Sequence, residues 1–375
     1  MFSNNSIYKS YYNWWKNVDK LILFLILTLF FLGLFFSLVS TSLIASDKLN
    51  TNSYFFFIKH LGLILLGICL LISFSLFEKS KLFKISIILF FVFFVCLILV
   101  AFIGVEVRGS KRWMDLPGPL PRFQPVELLK PFFIVMIATI LSLENKRNIY
   151  FKYLLSFLIL APIVIFLASQ PDIGQTLLIT LTWLSLIFIS GINLFVFFSF
   201  FIFIGALFSS LIFFVPKFYY IQQRLLSFLV PNTGNNYQSE KASEAIINGG
   251  FFGKGIGEGT LKNRIPEAHT DYIVSVISEE FGVLFIILLM IIFLFFVYQV
   301  FKKLYFENNN QIKLILVGSI SIIILQALIH IGVNIRLLPT TGMTLPYISY
   351  GGSSIISTSI LSGIILNLTK RKINY

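Results

Sequence analysis

The feature that most constrains this chain is a succession of long apolar runs, such as Leu21 to Ile44 and Val283 to Tyr298. A bilayer core about 30 Å thick is crossed by a helix of about 20 apolar residues. The runs are continuous and not alternating, and lipid obliges each segment to satisfy its own backbone hydrogen bonds. Helices, not a barrel, follow. Composition agrees: 57% of the residues are hydrophobic and only 12% charged, against roughly a quarter charged in a soluble domain. The first run follows Lys16 and Lys20 but is too long for a cleaved signal segment, so it counts as a span.

Ten spans are predicted: 21–44, 54–77, 82–103, 126–143, 152–168, 173–190, 194–215, 273–300, 312–336 and 345–367. The expected fold is an all-α polytopic membrane bundle of about ten helices, one domain over 1–375, with residues 1–20 inside and a large outer loop at 216–272. The even number puts both termini on one side. With the termini inside, the inner segments hold 15 basic residues, among them Lys9, Lys79, Lys146, Arg147, Lys152, Lys302, Lys303, Lys313, Arg371 and Lys372, against 4 acidic ones. Inside is then +11 and outside +2, out of a total of +13. The short inner loops are dense in Lys and Arg, which sets this orientation, since long loops translocate largely regardless of charge. The positive balance is therefore membrane topology, and no nucleic-acid partner is implied.

Two outer segments are too elaborate to be connectors: Gly104 to Gln124, and the 57 residues from Pro216 to Tyr272. The second carries six glycines between Gly249 and Gly259, interleaved with Phe251 and Phe252. That density predicts a close-packed, turn-rich or re-entrant segment.

Five polar clusters stand at outer mouths of spans. They are Gly109–Trp113, Gln124–Glu127, Gln170–Gly174, Pro266–Asp271 and Pro339–Ser354. All fall on one side in this topology, which predicts a single shared pocket. Asp271 opens a long span within the string Pro-Glu-Ala-His-Thr-Asp, and Glu267 lies four residues earlier, on the same face if the helix already runs there. Acids at span mouths cap helices or serve function. For Asp172 both readings stand; for Asp271 the functional one leads. Glu279 and Glu280 lie deeper and are expected to pair with buried cations or polar groups. Lys111, Arg112 and Arg122 bind anionic headgroups or a phosphorylated ligand, because a guanidinium forks onto phosphate. Gly351 and Gly352 read as helix-packing residues first and as a breaker second. His330 is expected to be a buried hydrogen-bonding histidine, and His60, His269 and His330 form no zinc pattern. Cys69 and Cys96 are expected to be buried, apolar and unpaired.

Lys111-Arg112-Trp113, Gln170-Pro171-Asp172, Pro266 to Asp271, Ser278 to Gly282 and Leu345 to Ser354 closely resemble the strings of the SEDS family (shape, elongation, division and sporulation), from about residue 20 to 370. Ala268 before His-Thr-Asp, Pro339-Thr340 and Ser353-Ser354 look like the family's cell-division branch. The chain departs from the family's usual strings at Val126 (serine), Thr341 (lysine) and Arg108-Gly109 (Asn-Gly). The second removes a cation from the mouth of the last span.

The resemblance implies a peptidoglycan glycosyltransferase of the bacterial inner membrane that uses lipid II at its periplasmic face. It also implies work at the septum beside a class B penicillin-binding transpeptidase and other division proteins. The aspartate matching Asp271 is held essential in the family, and the positions of Asp172, Lys111 and Arg112 lie near the same cavity. Asp271 is thus the expected base. Lys111, Arg112, Arg122, Asp172 and Glu267 are expected to contact substrate. His269, Thr270, Ser349, Gly351 and Gly352 complete the expected lining. A divalent cation such as Mg or Mn could sit on Asp172 and help stabilise the leaving pyrophosphate. A lipid II transporter and a non-enzymatic division scaffold are the rival readings. A carrier should place polar groups at the midplane and on both faces, and a scaffold has little need of paired acids and cations.

Overall fold

The computed structural model describes residues 11–40, 54–107, 110–115, 122–143, 149–230 and 237–371. Lys9, Lys146, Arg147 and Lys372, Arg108-Gly109 and the 41–44 end of the first predicted span lie outside these residues.

Apolar helices answer the predicted spans. They are α1 (Lys20–Ser40), α2 (Phe55–Leu76), α3 (Lys79–Ile103), α4 (Pro125–Leu141), α5 (Ile149–Ser169), α6 (Ile173–Ile189) and α7 (Leu194–Phe214). The outer loop holds two amphipathic helices, α8 (Tyr219–Leu229) and α9 (Tyr237–Gly249). Then come α10 (Ile273–Phe281), α11 (Val283–Tyr305), α12 (Asn310–Asn334) and α13 (Gly352–Leu368). Among the described residues, seven (α1, α2, α3, α5, α7, α11 and α12) are long and apolar enough to cross a membrane, and α6 and α13 are shorter apolar helices.

Two predicted spans need correction. The 273–300 run is broken at Gly282, whose φ of +81° ends α10 and redirects the chain into α11. A Cβ at Gly282 would run into the Phe251 carbonyl, so only glycine fits this corner. The 345–367 run becomes helical only at Gly352; residues 345–351 are turns and extended chain, with Tyr347 in the left-handed region at φ +66°. The all-α expectation also missed a hairpin, β1 (Val105–Val107) with β2 (Ser110–Trp113), antiparallel, in the first outer segment.

Burial separates centre from rim. Nearly every residue of α4 and α13 and most of α12 is buried, while α7 is exposed almost throughout, with Phe195, Ile202 and Phe214 outermost. An apolar side chain exposed on such a bundle meets acyl chains, so helix association rests on close packing and polar ties. Both hold α2 against α13. A Cβ at Gly363 would stand 2.6 Å from the Leu71 carbonyl, so the backbones touch there. The Asn367 amide donates to the carbonyls of Phe74 (3.0 Å), Ser75 (3.0 Å) and Phe77 (2.6 Å) at the end of α2. Cys69 faces outward and is exposed, Cys96 is half-buried, and both are free thiols; the expectation of burial fails because lipid welcomes a small apolar side chain as readily as a core does.

Candidate active site

Three span mouths converge where α4, α6 and α13 begin. Pro125 sits at the first position of α4, where its missing N–H costs nothing. The Gln124 N–H donates to Ser353 Oγ at 2.9 Å, tying α4 to the start of α13. The Gln124 amide donates to Asp172 Oδ2 at 2.8 Å, tying α4 to α6. Asp172 caps α6 by accepting from the Gln175 N–H. The hairpin closes the group: Arg112 on β2 donates through Nε to the Gln170 carbonyl (2.9 Å) and through Nη2 to the Pro171 carbonyl, and its Nη1 lies 3.8 Å from Asp172 Oδ2.

Asp271 is built into a tight turn. The N–H groups of Thr270, Asp271 and Tyr272 all point to the Glu267 carbonyl, at 3.1, 3.1 and 3.3 Å, with Glu267 at φ +57°. The helix therefore does not yet run at Glu267, and the expected helical face is replaced by this turn. Asn334, at the end of α12, donates to the Asp271 carbonyl at 3.0 Å, while its own oxygen accepts from the Ser275 N–H and hydroxyl. Ser349 Oγ donates to the Thr270 carbonyl at 2.7 Å and Tyr350 N–H to the His269 carbonyl at 3.0 Å. The last outer segment thus grips the turn from one side and α12 from the other.

Beneath these mouths runs a buried polar chain. Lys130 Nζ stands 2.7 Å from Glu127 Oε2 and donates to Gln326 Oε1 at 3.0 Å. The approach to Oε2 is an ion contact, not an aligned hydrogen bond. Gln326 donates to the Thr344 carbonyl at 2.9 Å, and Thr344 Oγ1 to Ser354 Oγ at 2.8 Å. Removing one member of such a buried pair typically costs about 3–5 kcal/mol.

Above the chain opens a cavity of about 590 Å³. Arg112, Arg122 and Arg224 line it, as do Glu127 and Gln175, the turn from Glu267 and His269 to Tyr272, the Thr340–Gly342 segment, and Tyr350 to Ser354. Asp271 is half-buried there, and a Cβ on Gly342 would stand 3.4 Å from its Oδ2. Gly342 has φ +67°, so glycine is required by the backbone and leaves that side of the carboxylate open. Burial pushes the Tyr272 phenol up to about 12, so it stays neutral beside Asp271.

The family profile described as cell cycle protein, covering FtsW, RodA and SpoVE, matches residues 19–374. This chain belongs to that family.

FtsW of Caulobacter vibrioides is 30% identical over 363 residues, 96% of this chain and 91% of the relative. FtsW of Buchnera aphidicola is 35% identical over 346 residues, 88% and 95%. Both carry the name peptidoglycan glycosyltransferase. In fold, the chain resembles a chain of a peptidoglycan synthase complex that coordinates polymerization and crosslinking (TM-score 0.77, 24% identity, 94% of this chain and 97% of that one). It also resembles the rod shape determining protein RodA of Thermus thermophilus (TM-score 0.68, 24% identity, 94% and 96%). The chain is a bacterial membrane protein of the FtsW type.

The FtsW-type site differs in three places from the sequence expectation. Lys111 is exposed and does not line the cavity, whereas its neighbours Ser110, Arg112 and Trp113 on β2 do. Asp172 is buried below the cavity, not in its wall; burial lifts its carboxyl above the ordinary range and the Arg112 charge opposes this. Its Oδ2 faces the Gln124 amide and Arg112, so it positions these groups instead of offering itself to a metal. Among the described residues no group of three His, Cys, Asp or Glu is arranged to hold a metal ion. Ser349 is buried and positions the turn from behind. A Cβ on Gly351 would stand 3.0 Å from Thr344 Cγ2, so this glycine sits in close packing, while Gly352 meets only ordinary contact and opens α13.

Arg224, Gln175, Lys130, Gln326 and Asn334 were missed. Lys130 and Gln326 gave a signal: a cation and an amide inside apolar runs need partners. Arg224 gave none, since it sits in a loop helix whose position no local pattern reveals. His330 behaves as expected, with Nδ1 2.7 Å from the Met343 carbonyl.

Proposed function

We propose that this protein polymerises lipid II into glycan strands at the periplasmic face of the inner membrane, releasing undecaprenyl pyrophosphate. Supporting the activity are the names of its relatives and one observation above all: one cavity holds the Asp271 carboxylate together with three arginines, Arg112, Arg122 and Arg224, and two further acids, Glu127 and Glu267. The residue counts on the short loops support the orientation. Inside that reading, 1–20 is cytoplasmic and 216–272 periplasmic.

The step needs a base and a cationic cradle. Asp271 takes the proton from the sugar 4-hydroxyl of one saccharide. The freed oxygen attacks the anomeric carbon of the second, the bond from that carbon to the pyrophosphate oxygen breaks, and the leaving group departs with the electron pair. The anomeric centre inverts, as in an inverting glycosidase by analogy. A positioned base contributes about 10²–10⁴-fold. Arg112, Arg122 and Arg224 meet the negative charge gathering on the pyrophosphate. Arg112 is held to three carbonyl and carboxylate oxygens beforehand, so little reorganisation is left for the reaction. Thr341, where the division-type string that this chain resembles commonly carries lysine, leaves Arg112, Arg122 and Arg224 as the arginines lining the cavity. A divalent cation, where one takes part, would arrive on the pyrophosphate. Septal placement and a class B penicillin-binding transpeptidase as partner fit the division-type strings and the likeness to a synthase complex.

Purified protein carrying Asp271→Asn should keep the wild-type thermal transition and lose glycan synthesis from lipid II by about 10²-fold or more. Undiminished polymerisation by that variant would remove the base assignment. Scoring flipping of labelled lipid II in the same proteoliposomes separates this reading from a carrier.

A further inference from the structure

A second, smaller cavity of about 280 Å³ lies at the other end of the bundle. Its walls come from the last turns of α4 and α6 and the first turns of α5 and α12. Since α4 also begins at the active-site cavity, its 17 residues set the two about 25 Å apart, at a rise of 1.5 Å per residue.

Lys152 and Lys313 line this cavity with Ser142, Ser190 and Asn310, above an apolar floor of Leu141, Leu143, Ile189 and Leu314. Both lysines are half-buried, and neither makes an ion pair or side-chain hydrogen bond among the described residues. Some cations elsewhere are paired: Lys130 with Glu127, Lys303 with Asp19 at 2.7 Å, and Lys81 with Glu78 at 3.1 Å. Among the described residues the lining of the hollow holds two ammonium groups and no carboxylate, and like charges around one hollow are relieved when an anion joins them. Glu307, just before α12, accepts from the N–H groups of Asn308 and Asn309 (3.0 and 3.1 Å) and does not line the hollow. The first turn of α12 adds the positive end of its dipole. The hollow is framed by the ends of four helices, and in the proposed topology these ends lie on the cytoplasmic side. Basic hollows between transmembrane helices on that side suit anionic lipid headgroups.

We infer that this cavity binds a phosphate group, presented by an anionic phospholipid of the leaflet opposite the active site, with Lys152 and Lys313 on the phosphate and the four apolar residues against the glycerol and upper acyl chain. The site takes no part in the glycosyl transfer and stands whether or not that reading holds.

The test uses the full-length protein in nanodiscs of phosphatidylcholine with or without 20% phosphatidylglycerol by design, released for native mass spectrometry. Retained phosphatidylglycerol adducts should exceed phosphatidylcholine adducts in the wild type. With about fivefold per lysine at the membrane surface, Lys152→Gln with Lys313→Gln should weaken retention by roughly thirtyfold. The arginine pair, Lys152→Arg with Lys313→Arg, should restore it, which a general loss of folding would not allow. Inorganic phosphate distinguishes the source: competition at millimolar concentration would assign the same two lysines to a free phosphate, and no competition assigns them to lipid. Equal retention of both lipids together with no phosphate binding, or retention unchanged in the glutamine pair, would overturn the site.

Discussion

Asp271 and the pair Glu279-Glu280 lie within ten residues of each other, yet the fold treats them oppositely. Asp271 lines an open cavity beside arginines. Glu279 and Glu280 are sealed at 0% and 1% exposure beneath the glycine-rich loop. Glu279 Oε1 accepts from the Leu261 N–H at 2.9 Å and the Asn248 amide at 3.3 Å, and Glu280 Oε2 from the Gly257 N–H at 2.8 Å. The loop is pinned to the backbone as well: Lys254 N–H donates to the Glu279 carbonyl and Gly255 N–H to that of Glu280. These carboxylates are anchors that fold the outer loop down along α10, with backbone N–H groups and an amide among their partners. The lesson is that an acid in an apolar run declares a need for partners, and only the partners say whether it serves chemistry or architecture.

Replacing each kind of acid should therefore separate activity from stability. Against the activity-only loss expected of Asp271→Asn, Glu279→Ala should lower stability by about 3 kcal/mol, since it strands two buried donors at roughly 1–3 kcal/mol each. Thermal unfolding of the detergent-solubilised protein measures it, and a wild-type transition would deny the anchor role. Gly253→Ala should cost about 1–3 kcal/mol in the same assay: φ there is +82°, and a Cβ would enter the Glu280 backbone. Gly342→Ala sharpens the contrast from the other side. It places a methyl 3.4 Å from the Asp271 carboxylate, so glycan synthesis should fall roughly ten- to a hundredfold at a strain cost of about 1–2 kcal/mol. A stability loss with unchanged turnover would show that the open side of Asp271 does not matter.

The helices were legible because apolar length is a direct statement about the solvent, and the convergence of five polar strings on one end was legible from topology. What escaped was set by tertiary register. Lys111 and Arg112 are equal in sequence, and only the pairing of Glu106 with Lys111 across the hairpin decides which one faces the cavity. Asp172 read equally as cap and as ligand; the structure makes it a cap that also holds Gln124 and Arg112. Gly282 lay in a run that looked continuous, because a left-handed corner leaves no mark on hydropathy. Arg224 reaches the cavity from a loop helix and touches the Thr340 carbonyl at 3.3 Å, across more than a hundred residues that no local pattern spans.

The smallest expected effect concerns the turn that carries Asp271. Burial holds the His269 imidazole below its ordinary value, and the Glu267 charge opposes this less strongly. His269 packs against Phe56 and Tyr350, with ring centroids 5.2 and 5.6 Å away, so its protonation would put a charge among aromatic rings. With the folded value below the unfolded one, the unfolded chain binds more protons between them, so stability is full above about pH 6.5 and falls as the pH drops below it. His269→Gln should flatten the fall of the thermal midpoint between pH 7 and pH 5, while Glu279→Gln should leave the His269 part of that slope in place. An identical slope in wild type and His269→Gln would mean that the aromatic cage does not hold the imidazole neutral, and that the turn under Asp271 is fixed by its backbone bonds alone.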